Sequence, residues 1–135
     1  MNHETALAVL LNRAAPRAAP RAFAGFGGKW QNEYGSTAEF TVNGSAVSGP
    51  YISTVSGSNS TVNGQIRGWC AGDMIAFTVL WSENASMTAW VGQVTTNTAG
   101  VETLETLWHL VTDISEDPTK VWQSVLAGAD FFTRA

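Results

Sequence analysis

From Gly28 onward, Gly, Asn and Ser clusters recur so often that no long helix has room to form. Between them stand short runs rich in Val, Ile, Phe, Trp and Thr. Runs of that texture, bounded by turn formers, read as strands. The expected strands cover residues 29–34, 37–42, 46–55, 64–69, 74–81, 86–94, 101–111 and 127–133. Asn43-Gly44 is a tight hairpin signal, because both residues tolerate positive φ, and Asn63-Gly64 is a second. The single helical candidate is 116–124, with Asp117 as N-cap and Pro118 at the first helical position. The pattern predicts an all-β fold: an eight-stranded antiparallel up-and-down β-barrel with one short helical turn before the last strand. Such a barrel closes its own edges. A two-sheet sandwich is the alternative.

Alternate residues of a strand face the same side. One parity collects Ile75, Phe77, Val79 and Trp81; another Ser86, Thr88, Trp90 and Gly92. A third collects Leu104, Thr106, Trp108 and Leu110, and a fourth Tyr51, Ser53 and Val55. Each set carries bulky side chains and could face a barrel interior. Hydroxyls ride on the same faces, and a buried hydroxyl needs a partner, so a core that merely packs seldom includes so many. An eight-stranded barrel has room for one small ligand. Aromatic walls with several fixed hydroxyls suit a small, mostly apolar ligand with a compact polar head. Asp130 shares parity with Phe132 and is expected in the pocket. His109 has the opposite parity to Trp108 and is expected outside.

Bulk properties narrow the partners. Charged residues make up 13% of the 135-residue chain and the net charge is −4, so the basic footprint of a nucleic-acid binder is absent. No apolar run approaches the roughly 20 residues that span a bilayer. The single cysteine, Cys70, cannot form an intramolecular disulfide and reads as a partly buried thiol. His109 lacks a second nearby ligand, and no metal or cofactor is expected. No nucleophile–base pair or phosphate loop appears, so the chain is not expected to be an enzyme. Residues 1–27 read as a flexible N-terminal tail or a degenerate signal segment, and 28–135 as the barrel. An apolar run, Ala6 to Leu11, is preceded by "MNHE" and followed by an Ala/Pro/Arg stretch, which reverses the usual signal order. Asn43, Asn59 and Asn84 head Asn-x-Ser/Thr sequons, read as chance occurrences.

Six segments, taken in order, resemble one family. "GKWQNEYGSTAEFTV" is similar to the first hairpin of avidins and streptavidins, and "SGPYISTV" to their third strand. "IAFTVLW" with "SMTAWVGQ" resembles their fifth and sixth strands, "LETLWHL" the seventh, and "VWQSVLAGADFFTR" the final helix-turn-strand. The resemblance implies high-affinity, non-covalent biotin binding in the barrel mouth. It implies that Asn32, Ser36 and Tyr51 donate to the ureido oxygen, and that Ser53 and Asp130 accept from the ureido N–H groups. Thr88 would face the thiophene sulfur and Ser86 the valerate carboxylate. Trp81, Trp90 and Trp108 would enclose the ligand, with Val55, Phe77 and Leu110 nearby. Trp122 stands where tetrameric relatives place a Trp that closes a neighbouring subunit's pocket. The stretch 56–62 is shorter than the covering loop of streptavidin, and the 82–85 link is also short. Family likeness further implies a secreted protein.

Plainer readings stand beside these. Any one Trp could be core alone; Trp30 and Phe132 are read that way. Asn32, Gly35 and Ser36 could be turn residues. Lys120, Glu116 and Asp117 read as solvated surface. A barrel carrier for another small apolar ligand with a polar head is the rival function, and an assembly module without a ligand is another. Leu107, Val111, Ala127, Ala129 and Phe131, on the outward parity, look like subunit contacts, giving a homo-oligomer: a tetramer, with a dimer as the alternative.

Overall fold

The computed structural model describes residues 1–12, 23–54, 61–81, 86–113, 119 and 125–135. Within them lie a helix, α1 (His3–Leu11), and eight strands. These are β1 (Gly28–Asn32), β2 (Thr37–Asn43), β3 (Ala46–Thr54), β4 (Thr61–Ala71), β5 (Met74–Trp81), β6 (Ser86–Thr96), β7 (Glu102–Thr112) and β8 (Val125–Arg134). Each strand pairs antiparallel with its neighbour in sequence, and β8 returns to β1. The sheet is therefore a closed up-and-down barrel, as expected, and the sandwich alternative is excluded. The predicted helix at 116–124 falls almost wholly outside the described residues.

Period-two patterning does the folding work. In β5 exposed and buried residues alternate without a break: Ile75, Phe77, Val79 and Trp81 point in, and Met74, Ala76, Thr78 and Leu80 point out. β6, β7 and β8 bury even-numbered residues, among them Trp90, Val94, Leu104 and Phe132. A one-residue slip would exchange the two faces of a strand, so this alternation pins the register. Two glycines on the inner face of β4 make room for bulky neighbours. A Cβ at Gly64 would come within 2.2 Å of Val79 Cγ1, and one at Gly68 within 2.7 Å of Phe77 Cβ.

One end of the barrel is plugged. Phe26, just ahead of β1, is buried, and its carbonyl accepts the Trp30 indole N–H at 2.8 Å. The Arg134 guanidinium lies 4.4 Å from the Trp30 ring centroid and is ion-paired to Glu102 at 2.9 Å. It also donates to the carbonyls of Gly25 and Gly27. The cation thus covers an aromatic face while backbone carbonyls ahead of β1 satisfy its donors. α1 buries none of its residues; the Asn2 side chain caps it by accepting the Thr5 N–H. Among the described residues no helix is long and apolar enough to cross a membrane.

Trp30 has no exposed surface. Trp30→Ala opens a cavity at the plug and removes the platform under Arg134. The expected loss is about 3–5 kcal/mol of unfolding free energy, read as a lower urea midpoint.

Candidate ligand-binding site

The end opposite the plug holds a cavity of about 440 Å³. Its lining includes ten residues singled out from the sequence: Asn32, Ser36, Tyr51, Ser53, Trp81, Thr88, Trp90, Trp108, Leu110 and Asp130. They come from six of the eight strands and from the β1–β2 turn. Phe77 does not line the cavity; it lies behind the wall, stacked on Trp90 at 4.8 Å between centroids. Ser86 is buried at the start of β6 but does not line the cavity either. Val55 and Trp122 lie outside the described residues, as do residues 56–60 and the 82–85 link. His109 is exposed, as its parity requires.

The walls are aromatic. Tyr51 stacks on Trp90 at 5.0 Å and meets Trp81 edge-on at 5.4 Å. These are the offset and T-shaped arrangements that ring quadrupoles favour. Trp108 depends on a missing side chain: a Cβ at Gly128 would sit 2.5 Å from its ring. Nothing in the sequence marked Gly128, because its role depends on the cross-strand register that sets it opposite Trp108.

The polar groups form one connected set. Asn32 Oδ1 accepts the N–H groups of Tyr34 and Ser36, at 3.0 and 2.9 Å, and so shapes the β1–β2 turn. The turn reading of Asn32 is therefore right, and its amide N–H₂ still reaches toward Asp130. Ser36 Oγ accepts the Thr54 N–H at 3.0 Å, while the Thr54 hydroxyl donates to the Tyr34 carbonyl at 2.9 Å. With that proton committed, the 3.3 Å contact between the two hydroxyls has Ser36 as donor. A ligand carbonyl could take Thr54's place as acceptor. Thr54 and Tyr34 also line the cavity and were not anticipated. The Thr54 side chain has outward parity, and only the fold of the turn brings Tyr34 beside it.

Tyr51 is held as a donor. Burial, then the charges of Asp130 and Glu33, raise its pKa far above the ordinary phenol value, against a smaller effect of its hydrogen bond with Ser36. The carboxylate of Asp130 accepts the Trp90 indole N–H through Oδ2 at 3.1 Å. The Thr106 hydroxyl donates to the Asp130 backbone carbonyl at 2.9 Å and fixes that stretch of β8. The Trp81 indole N–H donates to Thr88 Oγ1 at 2.9 Å, which leaves the Thr88 proton free to be given to a ligand. The cavity lining thus includes the donors Asn32, Ser36 and Tyr51 and the acceptor Asp130. Half-buried Ser53 adds a hydroxyl. A planar group with a carbonyl oxygen between two N–H donors matches that set.

The chain can now be placed among known proteins. A profile of the avidin family matches residues 21–135. Avidin of Gallus gallus is 31% identical over 124 residues, which cover 79% of this chain and 76% of the chicken protein. The crystal structure of xenavidin superposes with a TM-score of 0.74 at 30% identity, covering 83% of this chain and 98% of that one. A structure of a biotin binding protein from chicken gives 0.68 at 27% identity, with 81% and 96% covered.

The Asp130 carboxyl has its pKa raised, first by burial and then by Glu33, with hydrogen bonds from Trp90 and Asn32 opposing. A raised carboxyl pKa means that the folded state holds this proton more tightly than the unfolded one. Its contribution to stability is therefore full in acid and is lost as the pH rises through the folded pKa. Asp130→Asn removes that loss and keeps an oxygen for Trp90. The ligand-free variant is expected to melt above the parent at pH 7, with the gap closing as the pH falls into the acid range. Calorimetric scans across pH check this.

Proposed function

Since the chain belongs to the avidin family, we propose that it binds biotin, non-covalently and with high affinity, in the open end of its barrel. The observation that carries the reading is the pairing of an aromatic box with a donor–acceptor set matched to a ureido ring. Desolvating a ureido group is costly unless each of its polar atoms finds a partner. Asn32, Ser36 and Tyr51 surround the carbonyl oxygen. Asp130 and Ser53 take the two N–H groups, and Thr88 faces the sulfur. The walls exclude water, so these bonds act in a low dielectric where they are stronger. A carrier for another ligand would share the walls but would have no use for this set of three donors and a carboxylate in one cavity. The family's relatives are binding proteins, and the chain is read as one too, acting outside the cell.

Free biotin is expected to raise the melting temperature markedly. A ligand bound only by the native state adds about 4.1 kcal/mol at a thousandfold excess over its dissociation constant. An unchanged melting temperature in millimolar biotin would defeat the reading. Asp130→Ala leaves a ligand N–H unpaired and is expected to cost about 1–3 kcal/mol of binding. Glu39→Gln, on the exposed outer face of β2, is expected to bind as the parent does.

The assembly is proposed to be a tetramer. The outer faces of β1 and β2 are polar, with Lys29, Gln31, Glu39 and Thr41. The outer faces of β5 to β8 are not: Leu80, Val91 and Leu107 are each more than 60% exposed in the isolated chain, and Phe131 is 47% exposed. A concavity of about 790 Å³ is set into this side, lined by Trp69, Met74, Val91, Leu107 and Phe131 among others. So large an apolar patch on a single barrel fits subunit contacts. Leu107→Asp is expected to lower the assembly's mass in size-exclusion chromatography with light scattering. An unchanged mass would remove this face from the interface.

A further inference from the structure

β1 and β8 share only three rungs, Trp30↔Arg134, Gln31↔Thr133 and Asn32↔Phe132. Odd-numbered residues of β8 turn their N–H groups toward β1, and the series continues with Ala135, which donates to the Lys29 carbonyl at 2.9 Å. Beyond Asn32, β1 leaves the sheet for the turn, and the Phe131 N–H has no strand carbonyl to meet. Glu33 Oε2 accepts it instead, at 3.1 Å. A side-chain carboxylate has taken the place of a ladder carbonyl, one residue from the carboxylate of Asp130.

We propose that Glu33 is the positioning residue for Asp130: it bolts the β8 backbone at Phe131, and its negative charge makes Asp130 a stronger acceptor for a ligand N–H. The proposal rests on the biotin reading for the identity of that ligand. Its physical content is local. Asp130 is approached by Glu33 from the turn, Tyr51 from β3, the Trp90 indole from β6 and the Thr106 hydroxyl from β7. Among the described residues none of these neighbours is a cation. The nearby charge is thus a like charge, which raises the proton affinity of Asp130 and its strength as an acceptor together. The Glu33 charge and a hydrogen bond between the two side chains both raise the pKa of Asp130. The same coupling sets a limit, because a more basic Asp130 also takes up a proton, and ceases to accept, at a higher pH.

Two substitutions separate the bolt from the charge. Glu33→Gln keeps an oxygen for the Phe131 N–H and removes the charge; Glu33→Ala removes both. Biotin release is followed from neutral to acid pH. At pH 7 Glu33→Gln is expected to release biotin roughly two- to tenfold faster, the range of one weakened hydrogen bond. Its acceleration in acid is expected to begin at lower pH than in the parent, so that the two profiles cross. Glu33→Ala should release faster still at every pH. A Glu33→Gln profile that superposes on the parent, or one displaced equally at all pH values, overturns the charge coupling. If the parent does not bind biotin, the functional reading fails on its own. The proposal is then decided on the ligand-free protein by carbon NMR of the Asp130 carboxyl. A midpoint moved to lower pH in Glu33→Gln sustains it, and an unmoved midpoint overturns it.

Discussion

The short seam between β1 and β8 is the constraint on which the rest of the molecule depends. Without it the sheet is an open ribbon, and neither a plugged end nor a cavity exists. Seven of the eight strand contacts join neighbours in sequence; this one joins the first strand to the last and has only three rungs. Long-range closure costs more chain entropy than a hairpin. Both ends of the seam are accordingly reinforced by side chains. At the plug, Arg134 ties Trp30, Glu102 and the carbonyls ahead of β1 together. At the open end Glu33 holds the Phe131 N–H. Asp130 lies just past the last rung, where β8 is paired on one side only.

The interior grades from apolar to polar along the barrel axis. Near the plug, Trp30, Ile66, Val79, Leu104 and Phe132 have essentially no exposed surface. Toward the mouth the same inner faces carry Ser36, Tyr51, Thr88 and Asp130. Each of these has a partner within the protein, and no buried side-chain polar atom among the described residues lacks one. The polar groups of the cavity are therefore preorganised by bonds within the protein: Ser36 donates to Thr54, Asp130 accepts from Trp90, and Thr88 accepts from Trp81 while keeping its own proton to give. Preorganisation lowers the ordering cost of binding. Its counterpart is the strain of keeping an ionised carboxylate half-buried beside another of the same sign.

Strand positions and facing directions were legible in the sequence because a barrel imposes a period of two on nearly every residue. Ten cavity residues follow from parity and family likeness together. What escaped has a common physical character. Gly128 matters for the ring that lies across it, Gly64 for Val79, and Thr54 for a bond to the Tyr34 carbonyl. Glu33 has outward parity on a strand that has already ended, so alternation assigns it to solvent. These roles come from close approach between strands or from a side chain meeting backbone. Hydropathy along one strand carries no trace of either. Asn32 shows the reverse limit: its two readings, turn former and site residue, were opposed in the sequence and are compatible in the structure, because an amide has one end for each.

β8 unites the separate arguments. Its inner residues Gly128, Asp130 and Phe132 give, in order, the seat of Trp108, the cavity carboxylate and the core beneath it. Its outer residues Ala129 and Phe131 belong to the apolar face, and the Phe131 N–H lies in the plane between, held by Glu33. A displacement of this strand by even a fraction of an ångström alters all three at once, since successive residues of an extended chain share one rigid peptide plane. A second copy packed on the outer face would immobilise the backbone that carries Asp130. A ligand N–H bonded to Asp130 would in turn hold Phe131 in place for that copy. The two faces of β8 thus share one backbone, and among the described residues Glu33 holds it at Phe131 by accepting that N–H.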